Sequence, residues 1–474
     1  MAIECVRGRD YASQLTGRSS AGRLVAQLRN DDGKYSPFNA SSPLTGNILP
    51  GRKVRLRETT PTATVLWTGF LDSIIPSARV AGQAPLATLQ ASGPLVMLSG
   101  KEINPAAQTT KRTDEIVTVI LDDAGWPAAD RDLAAGKTSI ARWFAGAGQR
   151  GADVAMTALR EMEETELGFL LETADGKLRF EDRHYRLLTS RCVTSQATFS
   201  DGVTTLPYME IVEDDPLREI FNDVTATVRN YTVGALAVLW TLSGSEQPSL
   251  APGETRSWWA QYPGPDDTTG VMADAWTTPD STDITVTGVA FGDLGITVSK
   301  LSTKMKITIV NNGTAAATLT LVRARGTPVT MDDSNWVQAE DSSSQTKYGE
   351  HSFQLPGQWY DDTTEAQHAV NYIISRYKDP LAVLRMKFAA GKNATVQAQA
   401  LARDVSDKIT IVATSARSQM GIDSQEFFIE SIHHWIGQGG LEHVCEFTLS
   451  PATGDGAFWI LDTGELGTTT KLAF

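Results

Sequence analysis

Residues 30–37 read NDDGKYSP, and two predicted strands follow them, the alternating KVRLR at 53–57 and VLWTGFL at 65–71. Asn and Gly tolerate the positive φ angles of tight turns and Pro presets turn geometry, so the 30–37 stretch predicts turns rather than a helix. LATLQAS at 86–92 predicts another strand of the same sheet. Residues 1–100 are therefore predicted to form a β domain.

The next section, residues 101–205, is predicted to be a mixed α+β domain. Thr113 is the predicted N-cap of one helix, and a second helix is predicted to begin at Asp153. GFLLETADGKLRF at 168–180 places Asp-Gly between two strand-like runs, which indicates a β-hairpin. This section separates two stretches of predicted strands.

Beyond residue 205 the chain is predicted to be β-rich again. We expect a second β domain over 206–385, with an inserted β-sandwich-like module at about 235–330, and a C-terminal β domain over 386–474. The Asn311-Asn312-Gly313 turn predicts a hairpin between its flanking Thr-rich strands. A helix is predicted over 364–377, with a capping box formed by Thr364 and Gln367. A final pair of strands is predicted at 426–435 and 441–450.

Length and composition describe a folded acidic protein. At roughly 150 residues per domain, 474 residues predict about three domains. A hydrophobic content of 41% excludes general disorder, no apolar run approaches the roughly 20 residues of a membrane span, and no signal peptide is expected. The formal net charge of −14 argues against a broad phosphate-binding surface. Three separated cysteines without a CxxC pair indicate neither a disulfide framework nor a zinc site.

Four short patterns resemble ligand or catalytic sites, and each has a plainer interpretation. GAGQRG at 146–151 fits GxGxxG but lacks a βαβ unit, so we interpret it as a loop. Asn30–Gly33 lacks the spaced acidic ligands of a calcium loop and predicts a tight turn. His433 and His434 are adjacent on a predicted strand and point to opposite faces, with His443 across the hairpin, which favours a structural or solvated role. Four glutamates are interpreted as a solvated helix face rather than as paired catalytic carboxylates: Glu161, Glu163, Glu164 and Glu166.

No enzyme, metal or cofactor is predicted, since the sequence also contains neither a GxSxG elbow nor an HExxH motif. The candidate contact residues are four aromatic side chains in or beside the inserted module, because aromatic faces stack on sugars or contact a partner. Packing in a core or at an interface is nevertheless the interpretation that we favour for the same four residues. They are Trp258, Trp259, Tyr262 and Trp276.

The turns and strand edges of the first domain, taken in order, resemble those of minor tail proteins of long-tailed bacteriophages. Segments of the later domains resemble the second, third and fourth domains of tail-tip hub proteins. The resemblance covers most of the chain except about 240–330. Its segments are 30–37, 42–44, 48–55, 67–72 and 92–95 in the first domain, then 120–127 and 176–183, then 348–350, 376–380 and 407–411.

The resemblance implies a mainly β fold with α+β parts, in a multidomain hub. Two domains would be tail-tube-like β-barrels, beside the mixed α/β domain, the inserted sandwich-like module and the C-terminal β domain. The hub would be a homotrimer at the distal end of the virion tail, assembled in the host cytoplasm. Its partners would be a distal tail protein, the tape-measure protein, and tail fibres or other tip proteins.

Three functions follow from the sequence. The first is a structural hub that continues or closes the tail tube and gates DNA ejection. Three chains would carry a formal charge of −42, and an acidic channel would let DNA pass without specific binding. The second is recognition of a host-surface receptor or glycan by the 235–330 module. The third, which no motif supports, is a cell-wall-degrading tail enzyme.

Overall fold

The computed structural model describes most of the chain, in thirteen ranges. These are residues 2–9, 19–59, 63–77, 84–145, 153–202, 206–214, 220–242, 246–262, 272–331, 335–355, 359–380, 383–414 and 420–452.

The first half of the chain, to residue 228, contributes these elements: β1 (Ile3–Gly8), β2 (Arg23–Arg29), β3 (Lys53–Glu58), β4 (Thr64–Ser77), β5 (Leu86–Ser92), α1 (Pro94–Leu98), β6 (Glu102–Ile103), β7 (Gln108–Arg112), α2 (Thr113–Asp123), β8 (Arg131–Leu133), β9 (Ser139–Trp143), β10 (Asp153–Val154), α3 (Ala155–Glu166), β11 (Phe169–Glu172), β12 (Leu178–Glu181), α4 (Tyr185–Leu188), α5 (Ser190–Val193), β13 (Thr198–Ser200), β14 (Glu210–Asp214) and β15 (Asp223–Val228).

The second half contributes these: β16 (Tyr231–Val233), β17 (Ala237–Thr241), β18 (Ser249–Leu250), β19 (Thr255–Gln261), β20 (Met272–Trp276), β21 (Ile284–Thr287), β22 (Leu294–Lys300), β23 (Lys304–Asn311), β24 (Ala317–Met331), β25 (Asn335–Glu340), α6 (Ser342–Tyr348), β26 (Ser352–Gln354), α7 (Thr363–Tyr377), β27 (Val383–Ala389), α8 (Ala394–Ala402), β28 (Lys408–Ala413), β29 (Ile422–Gly437) and β30 (Glu442–Pro451). Short 3₁₀ turns lie at Ala128–Asp130, Phe291–Asp293, Ala390–Lys392 and Gln438–Gly440. The predicted fold class, mainly β with α+β parts, is confirmed.

Eleven strands from the beginning, the middle and the last part of the chain form one long sheet. Its order is β14-β27-β30-β29-β1-β2-β5-β4-β3, with β28 attached to β29 and β13 to β28. β1 pairs antiparallel with both β2 and β29, so that Ile3 lies opposite Ala26 and Ile436. β14 pairs with β27, which places Val212 opposite Arg385. The predicted domain boundary after residue 385 therefore falls inside β27. The pairing of β27 with β14 could not be read from the sequence, because strands so far apart in the chain leave no local pattern.

The mixed region packs α2 and α3 together over Trp143 and Phe180, in one apolar core. Both predicted helices are present, and the β11–β12 hairpin is confirmed. Two details of the helix starts differ from the predictions. Arg112, not Thr113, is the N-cap of α2, since its backbone is extended and its N–H donates to Glu115 at 3.0 Å. α3 begins at Ala155, two residues after the predicted start.

The predicted solvated face of α3 is wrong for Glu163 and Glu166, which are both buried. The carboxylate of Glu166 accepts hydrogen bonds from the Thr113 hydroxyl at 2.6 Å and from the Thr138 N–H at 3.0 Å. Glu163 accepts one from the Leu170 N–H at 2.7 Å. A glutamate can therefore occupy a buried helix position where neighbouring segments supply the donors, which helical periodicity alone does not reveal.

Residues 231–331 form the inserted module, in which two sheets enclose one apolar core. One sheet is built on the long strand β24, which pairs with β16, β17, β18, β20 and β21; the other has the order β19-β23-β22. The predicted hairpin at residues 311–313 is wrong, because β23 and β24 lie in different sheets. The buried Asn311 amide donates to the carbonyls of Leu250 at 2.9 Å and Ala315 at 2.8 Å, so this turn carries the chain between the sheets.

A smaller layer connects the module to the rest of the chain. α7 covers one face of the three-stranded sheet β25-β15-β26, and Val224, Val370 and Ile373 are among the buried residues between them. Asp362 caps α7 by accepting from the Thr364 N–H at 2.7 Å, in place of the predicted capping box. None of the helices in the described ranges combines the length and apolarity that membrane crossing requires.

Candidate interaction surfaces

The four predicted aromatic contact residues lie in the inserted module, but they do not form one surface cluster. Trp258 and Tyr262 are half-buried and pack against the module core. Trp276 is buried, and its indole N–H donates to the Leu301 carbonyl at 2.7 Å. Trp259 is 52% exposed and is the member of the set that faces solvent. A contact role for these residues remains a prediction. Trp259 is the best candidate among the four, because its side chain is accessible to a partner.

Strand alternation explains why adjacent tryptophans have different environments. Consecutive residues of a strand point to opposite faces, so Trp258 faces the core of the sandwich when Trp259 faces outward. On the outer face Trp259 lies opposite Lys306 of β23. The Nζ atoms of Lys304 and Lys306 lie 5.2 and 5.8 Å from the Trp259 ring centroid, within the range of cation–π attraction. The exposed indole is therefore part of a basic patch.

The two end strands of the long sheet carry opposite charges. β3, at one end, exposes the basic side chains of Lys53, Arg55 and Arg57. β14, at the other end, exposes the acidic side chains of Glu210 and Glu213. Within the described residues the outer edge of each strand has no strand partner. A sheet edge presents unpaired peptide N–H and C=O groups, which makes it a template for pairing with another chain.

A charged junction formed by Arg9, Arg186, Glu430 and Ser450 connects the long sheet to the mixed region. Glu430 accepts from Arg186 at 2.6 and 3.0 Å, from Arg9 at 3.2 Å and from the Ser450 hydroxyl at 2.6 Å. Burial alone would raise the pKa of Glu430, but Arg186 and Arg9 outweigh it and hold the pKa well below its ordinary value. The carboxylate is therefore ionised, and its hydrogen-bond partners come from elements that are remote in sequence.

A second carboxylate, Asp404, repeats this arrangement nearby, with its side chain 25% exposed. It forms ion pairs with Arg7 of β1, with Arg179 of β12 at 3.0 Å and with Arg191 of α5 at 3.6 Å. Burial opposes ionisation here too, and the three guanidinium groups lower the pKa of Asp404 below its usual range. Sequence reasoning missed both clusters. The available signal was strand alternation, which places Arg7 on the same face of β1 as the buried Cys5.

Glu172, at the end of β11, connects the mixed region to the N-terminal strands in a different way. Its carboxylate accepts from the backbone N–H of Gly22 at 2.6 Å and of Leu95 at 2.7 Å, and no cation is bonded to it in the described ranges. A side chain at Gly93 would collide with this carboxylate. Burial raises the pKa of Glu172 to about 7, although the two N–H groups act in the opposite direction.

The remaining sequence patterns form no metal site in the described residues. His434 and His443 face each other across β29 and β30, with 3.0 Å between His434 Nδ1 and His443 Nε2, and burial lowers the pKa of both. The described ranges contain no cluster of three or more His, Cys, Asp or Glu able to hold a metal ion. Asn30–Gly33 is a tight turn closed by a 3.0 Å backbone hydrogen bond, and the GxGxxG stretch lies outside the described residues.

Comparison with solved structures identifies the fold. A tail protein from Neisseria meningitidis MC58 matches with a TM-score of 0.51 at 8% identity, over 95% of this chain and 92% of that chain. This chain has a tail-protein fold.

Two further structures are similar at lower scores. The 43 kDa tail protein of prophage MuSo2 from Shewanella oneidensis has a TM-score of 0.48 at 10% identity, over 96% of this chain and 94% of that chain. The E. coli c3393 protein, a component of the type VI secretion system, has a TM-score of 0.40 at 8% identity, over 96% and 73%. No protein-family model and no curated protein matches the sequence.

Proposed function

We propose that this chain is a structural component of a phage tail tip, a baseplate hub that assembles as a homotrimer and continues or closes the tail tube. The observation that carries this proposal is the tail-protein fold together with a long sheet whose two ends are oppositely charged. In this proposal the β1–β5 end and the β27–β30 end of the sheet are the two tube-like units expected from the family resemblance. No catalytic step is needed for this role.

The charged edges suggest how copies associate. When the basic β3 of one copy meets the acidic β14 of the next, each copy uses two different surfaces. Repeating such a heterologous contact closes a ring if the rotation between copies fits a whole number of subunits. Charge complementarity favours this head-to-tail pairing and disfavours β3 against β3, where like charges would meet. The number three is taken from the family resemblance.

The decisive measurement is the native mass of the purified chain. A trimer has a mass of about 154 kDa, three times the 51.2 kDa of one chain. We expect Arg55→Glu with Arg57→Glu to reduce the trimer, and Glu210→Lys with Glu213→Lys to do the same. Combining both reversals restores the complementarity and should restore the trimer. Lys300→Glu, on an exposed position of the module, is the control that should leave the mass unchanged.

The assembled hub would lie at the distal end of the tail, between a distal tail protein, the tape-measure protein and other tip proteins such as fibres. DNA would pass its channel without specific binding, and the hub would gate that passage. An image of the assembled tail end tests this placement through copy number and position. A chain that stays monomeric within assembled tails would contradict the hub role.

A second candidate function is adsorption to the host surface through the inserted module, and the exposed Trp259 on its outer face favours it. The module can be deleted and the chain rejoined by a short linker, because its first and last strands lie next to each other. Tyr231 lies opposite Met331, and the Gly234 N–H donates to the Pro328 carbonyl at 2.8 Å. Replacing residues 235–327 by a short glycine linker should preserve trimer assembly and reduce adsorption; unchanged adsorption would refute this function.

A further inference from the structure

The outer face of the sheet β19-β23-β22 has an unusual composition for a chain with a net charge of −14. The strand register places Trp259, Lys306 and Ser299 in one row across it, with Ser257, Thr308 and Thr297 in the neighbouring row. Gln261 and Lys304 form a further pair. No Asp or Glu lies on this face, all of whose strands are described: its residues are Thr255, Ser257, Trp259, Gln261, Gly295, Thr297, Ser299, Lys304, Lys306, Thr308 and Val310.

The patch combines a positive charge with an exposed aromatic ring. Both lysine Nζ atoms lie within 6 Å of the Trp259 ring centroid, so the cations and the indole are contiguous. An acidic chain repels anions over most of its surface, and a local basic face is where an anionic partner is attracted. Charge complementarity therefore selects a negatively charged occupant.

The neutral side chains of the face identify the kind of anion. An exposed indole presents an apolar surface on which a sugar ring stacks, while hydroxyl groups both donate and accept hydrogen bonds, as sugar hydroxyls do. The hydroxyls of Ser257 and Thr308 are 2.8 Å apart and lie in the row next to Trp259. A nucleic acid is less suited to this face, because strand binding uses extended basic grooves with several aromatic side chains rather than two lysines and one indole.

We propose that the outer face of β19-β23-β22 binds an acidic saccharide, with Trp259 stacking on a sugar ring and Lys304 and Lys306 pairing with its carboxylate, sulfate or phosphate groups. This inference rests on the second candidate function of the inserted module, and it adds the chemical class of the ligand. The stacking fixes the position of the sugar, and the lysines discriminate against neutral polymers.

The test measures binding of the full-length protein to dextran sulfate and to dextran, which share a glucan backbone and differ in charge. We expect binding to dextran sulfate and none to dextran. Lys304→Gln with Lys306→Gln should weaken binding by about tenfold, and so should Trp259→Ala. Trp336→Ala is the matched control, because Trp336 is 68% exposed on a different sheet, and it should leave binding unchanged.

Several outcomes would overturn the proposal: equal binding to dextran, binding that is insensitive to the Trp259 or lysine variants, or equally strong binding of single-stranded oligo(dT). The adsorption assay separates this proposal from the function it rests on. If the module deletion abolishes adsorption but dextran sulfate does not bind, the host-surface role stands and the ligand class is wrong. If dextran sulfate binds as predicted but adsorption is unchanged by the deletion, the site stands and the host-surface role is wrong.

Discussion

The charged junction and the inserted module are both well packed, but they differ in how far apart in the sequence their residues lie. The junction collects Arg9, Arg186, Glu430 and Ser450, which are spread over most of the sequence. The module encloses a core whose buried residues all lie between Leu239 and Ala324. A contiguous core can form whenever its own segment is present, whereas the junction exists only when distant parts of the chain have come together. We therefore expect a destabilising substitution in one region to leave the stability of the other region unchanged.

The attachment of the module to the rest of the chain supports this comparison. Described contacts across the boundary include an ion pair between Arg142 and Asp274 and a 2.8 Å hydrogen bond from the Ser302 hydroxyl to the Pro105 carbonyl. The Phe144 and Tyr231 rings also meet edge-on, with centroids 5.4 Å apart. None of the module residues in these contacts belongs to the module's own apolar core, whereas Phe144 belongs to the core of the mixed region.

The largest effect is expected from Glu430→Ala. This change leaves the buried guanidinium groups of Arg9 and Arg186 without their carboxylate, and breaking a buried ion pair in this way costs about 3–5 kcal/mol of the free energy of unfolding. Hydrogen exchange should increase throughout β1, β29 and β30 while the module strands keep their protection. Glu254→Ala, which removes an exposed ion pair with Arg256, is the control and should change neither.

The converse change is Ile307→Ala in the module core, where Ile307 is fully buried. Truncating a buried isoleucine costs about 2–5 kcal/mol, because apolar burial is lost and a cavity remains. Exchange should rise in β19, β22 and β23 and stay unchanged in β29 and β30. If both regions lose protection together in this variant, the two regions form one cooperative unit and the comparison fails.

Glu172→Gln should remove one contribution to the pH dependence of the free energy of unfolding. The folded protein holds a proton on Glu172 up to about pH 7, while the unfolded chain releases it near 4.5. The stabilising contribution of the protonated form is therefore complete below pH 4.5 and is lost as the pH rises through about 7, by up to about 3 kcal/mol.

Chemical denaturation of the wild type and the Glu172→Gln variant at pH 4.5 and pH 8 measures this contribution. The wild type should lose more stability than the variant between the two values, because the other titrating groups are common to both proteins. An identical pH dependence would show that Glu172 keeps its charge in the fold.

The smallest effect is expected from Arg142→Ala, which removes the ion pair between the mixed region and the module. Both partners are partly exposed, so the loss should be less than about 1 kcal/mol. A double-mutant cycle with Asp274→Ala measures the coupling. A coupling above about 2 kcal/mol would mean that the module is held as firmly as the junction.

Local signals in the sequence predicted much of the fold. The β11–β12 hairpin follows from its Asp-Gly turn, and β29 and β30 pair as their alternating runs indicate. The Asn311–Gly313 turn shows the limit of such signals, because turn chemistry indicates where the chain reverses but not which sheet it joins next. The pairing of β14 with β27 lies beyond local patterns altogether, since register between remote strands is set by tertiary packing.

The interaction surfaces were predicted only in part. The sequence indicated four aromatic residues together, although strand alternation distinguishes the outward-facing Trp259 from Trp258. The lysines beside it become visible only when β19 is placed next to β23. The carboxylates Glu430 and Asp404 were not predicted as ion-pair sites, because their arginine partners come from other regions of the chain. Long-range ion pairs have no characteristic spacing.

The pairing of β1 with β29 also affects how this protein is made. The ribosome that has released Ile3 must add more than 400 further residues before Ile436, the residue opposite it, emerges. At roughly 5–20 residues per second, this takes about 20–90 s. During that time β2 covers one edge of β1 while the other edge stays open to unrelated strands. The cell therefore has to protect a nascent edge until translation is almost complete.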